Sequence, residues 1–340
     1  MANKCAVILA AGEGKRMKSN SPKVLSEVLF KPMLGWVIDS VKSAGIDNIC
    51  VVAGFKHDEV ESYLNKNKAF CKTALQLERK GTGHAVKMAE SFLNEFKGSD
   101  VLILNGDAPF ISAEIIKDSY DKHKSENNSA TVISAKLDNP FGYGRIVRNS
   151  ENGKVKAIIE QKDASSDIQK ISEVNSGAYW FSVSDLLSVL NNLSNENAQG
   201  EYYLPDTLKL LLNNGKSINA FTASSPNVVL GANDCIQLFE LNKIANQNII
   251  RSFMQEGIKF SSTDGIIIGP DVTIKKGSRI LPGTIISGKV NIGENCIIGP
   301  NSQLIDSNIG NNVQLNCVYC INSNIGDNEK VKPFSSLQNI

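Results

Sequence analysis

At 340 residues the chain exceeds the roughly 100–200 residues usual for one domain, so two domains are expected. Hydrophobic residues make up 41% and charged residues 21%, ordinary values that exclude wholesale disorder. Lys and Arg (36) nearly balance Asp and Glu (35), and a net charge of +1 gives no support to nucleic-acid binding, though it leaves room for a local basic pocket.

No apolar run approaches the roughly 18–20 residues of a membrane helix, so no membrane association is expected. The apolar stretch 5–11 runs straight into a Gly/Lys/Arg turn and reads as a buried strand rather than a signal peptide. Seven cysteines without cystine-type spacing indicate free thiols in a reducing, cytoplasmic compartment. Cys317 and Cys320 form a lone C-x-x-C with no second pair or nearby His, and they read as thiols on a repeat surface.

From residue 5 to about 225 short apolar runs alternate with amphipathic stretches. Residues 6–9, 49–52, 101–104, 130–135 and 178–181 read as strands. Residues 34–44, 58–65, 85–96, 113–125 and 184–193 read as helices. This alternation predicts a mostly parallel sheet covered by helices on both faces. Ligands in such sheets bind beyond the carboxyl ends of the strands, which points to the loops after Leu9 and Leu104. Residues 235–256 have helical spacing and fit a connecting helix.

Beyond residue 264 an aliphatic recurs at every sixth position: Ile268, Ile274, Ile280, Ile286, Ile292, Ile298 and Leu304. The register slips by one into Ile309, Leu315 and Ile321, then again into Ile325, Val331 and Leu337. Gly, Asn and Asp fill the intervening turns. A strict six predicts a parallel β-helix with three short strands per coil. At about 18 residues per coil, residues 264–340 supply about four coils. The expected domains are therefore 1–232, a linker with the connecting helix at 233–263, and a β-helix at 264–340.

The loop after the first strand holds Gly12, Gly14 and Arg16, with Lys23 close behind. Glycines admit backbone N–H groups to a phosphate chain, and two cations suit its charge. Met17 stands where a dinucleotide fingerprint needs its third glycine, and no P-loop motif is present. Taken alone, the segment also fits a tight strand-to-helix turn with solvated cations.

LAAGEGKRM followed by SPKVL resembles the signature of sugar-1-phosphate nucleotidyltransferases. QLERKGTGHAV (76–86), LNGDAPF (104–110), FGYGRIV (141–147), IIEQKDA (158–164), EVNSGAY (173–179) and NAQGEYYLPD (197–206) narrow the match. With the hexapeptide tail, the chain resembles the bacterial bifunctional N-acetylglucosamine-1-phosphate uridylyltransferase/glucosamine-1-phosphate acetyltransferase family over residues 4–333. The resemblance implies a Rossmann-like doubly wound mixed sheet followed by a short left-handed parallel β-helix. It implies that Leu9, Ala10, Ala11 and Gly12 hold the uridine nucleotide and that Arg16 and Lys23 neutralise its triphosphate. Gln76 would read the uracil edge, with Gly81 and Thr82 beside the base. Asp107, preceded by Asn105 and Gly106, would ligate Mg²⁺ together with Asn233. Gly144, Glu160 and Asn175 would hold the N-acetylglucosamine moiety.

The implied reaction joins UTP and N-acetylglucosamine 1-phosphate into UDP-N-acetylglucosamine and pyrophosphate, a cell-wall precursor step. A homotrimer is the implied assembly. A nucleotidyltransferase for another base or sugar, or a catalytically silent oligomeric paralogue, is the alternative. Arg79 stands where the family commonly has Gln and adds a cation near the nucleotide. Gln161 replaces a frequent His, Ser176 a frequent Thr, and Gln338 an expected Arg. The family continues for several more coils and carries a basic/His acetyl-transfer site there. Relative to it the chain is shortened, and its three histidines, His57, His84 and His123, all lie in the first domain. Acetyl transfer is therefore expected to be absent.

Overall fold

Strict alternation of apolar side chains decides the layering of the first unit. In the first strand, β1 (Lys4–Ala10), Val7 belongs to one apolar cluster and Ile8 to another. The computed structural model describes residues 4–197 and 199–339, without the Lys15 side chain. These residues form two compact units, one made of the chain up to Ser26 plus Pro32–Cys235, the other of Glu27–Lys31 and everything from Ile236 onward.

The first unit is built on β1, β2 (Asn48–Ala53), β3 (Lys72–Leu75), β4 (Asp100–Asn105), β5 (Ala130–Lys136), β6 (Arg145–Arg148), β7 (Val155–Ile159), β8 (Glu173–Ser182) and β9 (Ile218–Thr222). The sheet order is β9-β5-β8-β4-β1-β2-β3, with β6 pairing β8 and β7. β1 runs parallel to β2 and β4, whereas the long β8 runs antiparallel to both β4 and β5. The sheet is thus mixed rather than mostly parallel. Leu34, Val37, Ile38, Val41, Ile115 and Ile116 cover one face, and Val86, Leu93, Leu186, Val189, Leu208 and Leu211 cover the other.

The five apolar runs form strands where their pattern predicts. The stretch 85–96 does not form one helix: Thr82–Met88 and Glu90–Asn94 are separate, because Ala89 leaves helical geometry at φ −89° and ψ 10°. The helix expected over 184–193 is Val183–Leu190, capped by the Ser182 hydroxyl. β3, β6, β7 and β9 are short and escape the apolar-run criterion.

In the second unit the helix Cys235–Gln255 precedes coils whose strands stack into three parallel sheets. Ile268, Ile286 and Leu304 stack along one sheet, and Ile274, Ile292, Ile309 and Ile325 along another. These aliphatics fill one continuous core. Asn295, Asn301, Asp306 and Asn312 turn the corners with positive φ. Two expectations need correction. Cys320, not Ile321, occupies the inward slot after Leu304, with 0% exposure. The coil there is shorter, so the inward position arrives one residue early. Cys320 is consequently a core thiol, not a surface one. All seven cysteines are free.

Candidate active site

The carboxyl ends of β1, β2 and β4 meet on one rim of the sheet. The amide of Gly106 donates to the Leu9 carbonyl at 2.9 Å, tying the loop after β4 to the end of β1. The amide of Gln76 donates to the Ala53 carbonyl at 2.7 Å, placing the segment after β3 beside β2. Above this rim opens a cavity of about 320 Å³ whose lining includes Leu9, Ala11, Gly12, Lys23, Gln76, Gly81, Thr82, Asn105 and Asp107.

Lys23 organises the charged side. Its ammonium pairs with the Asp107 carboxylate and donates to the Asn233 side-chain oxygen at 2.9 Å. Asp107 and Asn233, more than a hundred residues apart in sequence, thus converge on one cationic point. Both offer hard oxygen donors, which suits Mg²⁺ when phosphate oxygens and water complete its shell. Among the described residues, no group of three or more His, Cys, Asp or Glu is gathered at any point. A metal held by two protein oxygens plus substrate is the arrangement these residues fit.

Another side of the cavity is held by the loop 76–82. Gly81 has φ +104°, and a Cβ there would come within 2.6 Å of the Tyr202 carbonyl, so only glycine fits. Tyr202 zips to this loop through its amide on the Lys80 carbonyl and its carbonyl on the Gly83 amide, both at 2.8 Å. The Thr82 hydroxyl accepts from the Leu204 amide at 3.0 Å. Gln76 is buried, and its Nε2 donates to the Gly81 carbonyl.

A second cavity of about 220 Å³ shares Leu9, Thr82, Asn105 and Glu201 with the first. Glu160, Asn175, Gly177 and Tyr179 also line it. β8 carries a bulge between Asn175 and Ala178. Within the bulge Gly177 has φ +78°, and a Cβ there would lie 2.1 Å from Asn105 Nδ2. The Asn175 amide group is fixed at both ends: Nδ2 donates to the Tyr179 hydroxyl at 2.6 Å and Oδ1 accepts from the Gly177 amide at 2.9 Å. Burial, then Asp163 and Asp206, push the Glu160 carboxyl above its usual range, with Arg145 opposing. The Gln161 Oε1 accepts from the Gly142 amide at 3.0 Å and from Arg145 at 2.8 Å, clamping the preceding loop to the end of β7.

Five residues implied by the resemblance do not line either cavity; one is Asn233, which meets the first only through its bond to Lys23. Ala10 is 1% exposed in the core. Gly106 packs beneath β1, where a Cβ would meet the Leu9 carbonyl at 3.1 Å. Gly144 backs the second cavity: its carbonyl accepts from the Asn175 amide at 2.9 Å, and a Cβ would press within 2.9 Å of Glu160 Oε1. Arg16 is exposed on the turn Lys15–Met17. Arg79 does line the first cavity, paired with Glu13 at 3.0 Å. Sequence reasoning gave no role to His84, Tyr179 or Glu201. They stand within 76–86, 173–179 and 197–206, but their roles depend on partners distant in the chain or on side-chain orientation.

The nucleotidyl transferase family matches residues 5–226, and the bacterial transferase hexapeptide family, six repeats, matches residues 271–306. A putative glucose-1-phosphate thymidylyltransferase from Bacillus anthracis, solved in complex with a sucrose, has the same fold. Its TM-score is 0.59 at 22% identity, over 71% of this chain and 95% of that one. Fold and family together define the chain as a nucleotidyltransferase with a left-handed hexapeptide β-helix. A bifunctional protein GlmU from Acetivibrio thermocellus is 43% identical over 330 residues, covering 97% of this chain and 70% of that protein. One from Fervidobacterium nodosum is 45% identical over 334 residues, covering 98% and 70%. The chain belongs to this family of bifunctional GlmU proteins.

Proposed function

We propose that the chain transfers a uridylyl group from UTP to N-acetylglucosamine 1-phosphate, giving UDP-N-acetylglucosamine and pyrophosphate. The observation that carries this reading is the pair of adjoining cavities with a shared wall at Leu9, Thr82, Asn105 and Glu201. One has the Lys23–Asp107–Asn233 cluster at its edge and suits a nucleoside triphosphate. The other offers Glu160 and Asn175, acceptor and donor groups for sugar hydroxyls and an acetamido group.

The sugar-phosphate oxygen attacks the α-phosphorus in line, and pyrophosphate leaves. That oxygen is already anionic at neutral pH, so no protein general base is required. The chain's own contribution is positioning and charge neutralisation. Leu9, Ala11 and Gly12 set the nucleotide against the rim, and Lys23 answers charge on the phosphates. Arg16 is assigned to the same task on its motif alone. Asp107 and Asn233 would hold Mg²⁺, which when bound supplies further neutralisation of the phosphate oxygens. The β-helix unit is proposed to assemble the chain as a homotrimer, and the protein to act in the cytoplasm.

Pyrophosphate release measured over a matrix of nucleotides and sugar 1-phosphates tests the reading. UTP with N-acetylglucosamine 1-phosphate should give the highest rate. Equal rates with dTTP and glucose 1-phosphate would reassign the chain to thymidylyl transfer.

A further inference from the structure

A side-chain amide distinguishes one base from another only if its oxygen and nitrogen ends cannot exchange. Gln76, 3% exposed, lines the first cavity. Its Nε2 donates to the Gly81 carbonyl at 3.1 Å and lies 3.0 Å from the Nδ1 of His84. An amide nitrogen only donates, so Nδ1 must be the acceptor and carry no proton. The proton of the neutral ring then sits on Nε2. Both Nε2 protons are then committed inside the protein, and Oε1 is the end left for a ligand. An oxygen at that place accepts from the N3–H of uracil and opposes the N3 lone pair of cytosine.

We propose that His84 is a positioning residue for base selection: by accepting from Gln76 Nε2 it holds Oε1 toward the nucleotide and so favours uracil over cytosine. The inference rests on the uridine reading above and names what enforces it. His84 does not touch the nucleotide cavity and faces a separate pocket with Lys80, Lys87 and Tyr202.

The arrangement requires a neutral ring. Burial first, then Lys80 and Lys87, hold the His84 pKa below its ordinary 6.5, while Glu78 opposes them. The ring is therefore neutral at pH 7. Protonation as the pH falls would place a proton on Nδ1 facing the protons of Gln76 Nε2. Selectivity should then fall as the pH is lowered, not as it is raised.

The test compares kcat/KM for UTP and CTP at fixed N-acetylglucosamine 1-phosphate, between about pH 5 and 8, for the unsubstituted protein, His84→Ala and His84→Asn. The ratio of the two nucleotides cancels titration of their shared triphosphate. His84→Ala should lower the UTP/CTP ratio about 5–10-fold at pH 7, the effect of one lost hydrogen bond. His84→Asn, whose Oδ1 can take the place of Nδ1 and does not titrate, should restore the ratio and flatten its acid dependence. Should His84→Ala fail to fold, the flattening in His84→Asn against an acid-sensitive parent decides the matter. An unaltered ratio in His84→Ala, an equal collapse in both variants, or an acid dependence that persists in His84→Asn overturns the inference. A parent enzyme that does not prefer UTP overturns the nucleotide reading itself, and this inference with it.

Discussion

Lys23 holds two oxygen groups from distant parts of the chain, Asp107 and Asn233, and this ties the rim of the sheet to the segment before the long helix. Replacing Asp107 by Ala removes one of the two proposed metal ligands and leaves Lys23 bonded to Asn233. The carboxylate is 22% exposed and fills no core volume, so its ion pair contributes about 1 kcal/mol or less to stability. Asp107→Ala should therefore melt within a few degrees of the parent while losing about 10²–10³-fold or more in turnover. Near-normal pyrophosphate release by a folded Asp107→Ala protein would remove Asp107 from the proposed metal site. Lys23 and Asp107 could be read from sequence because each sits in its own motif. Gly106 and Gly144 sit in motifs just as plainly, yet the structure uses them for close backbone packing. His84 could not be read, since its relation to Gln76 depends on which way a buried amide points.

The bulge in β8 sets the second cavity. It leaves Ser176 and Gly177 without ladder partners, next to the paired Asn175, and brings Asn105, from the neighbouring β4, against the glycine. Gly177→Ala would force a Cβ into Asn105 Nδ2 and strain a backbone at φ +78°. A cost of about 1–3 kcal/mol is expected from the strain. Displacement of Asn105 and Asn175 should in addition cost about 10²-fold in kcat/KM, read mainly with the sugar phosphate varied. A Gly177→Ala enzyme with unchanged kinetics would show that the bulge does not shape the site. At this scale the sequence is an uneven guide. Buried runs such as 101–104 announce strands because both faces are covered. β6 and β7 pair with each other in a short antiparallel hairpin whose residues are half-exposed in part, and no apolar run marks them. The hexapeptide period is legible because each coil repeats one steric demand. It fails at Cys320, where a shortened coil shifts the inward slot and a small thiol serves as well as an aliphatic.

At the level of the whole molecule, the β-helix unit raises the questions of assembly and of a second activity. Its stacked strands leave Ile267 and Ile285 only half-buried on one parallel sheet, where subunit packing would cover them. Sedimentation equilibrium should give a mass three times that of the chain, and a monomer at every concentration would exclude the homotrimer. Acetyl transfer from acetyl-CoA to glucosamine 1-phosphate needs a group to take the proton of the attacking amine. The three histidines stand at 57, 84 and 123, so residues 264–340 provide no imidazole for that task. His123 is buried against Thr131 and Asp100, and His84 is committed to Gln76, so neither is available as a base for this chemistry. Of the carboxylates there, Asp327 accepts from the Asn311 amide, and its pKa is held below the usual range by that bond, which makes it a weaker base. We therefore expect this polypeptide to release no CoA thiol from acetyl-CoA and glucosamine 1-phosphate above the uncatalysed rate, under conditions where it releases pyrophosphate from UTP. The two assays on one preparation keep the outcomes apart. Thiol release that scales with protein and survives removal of UTP would place an acetyl-transfer base within this polypeptide.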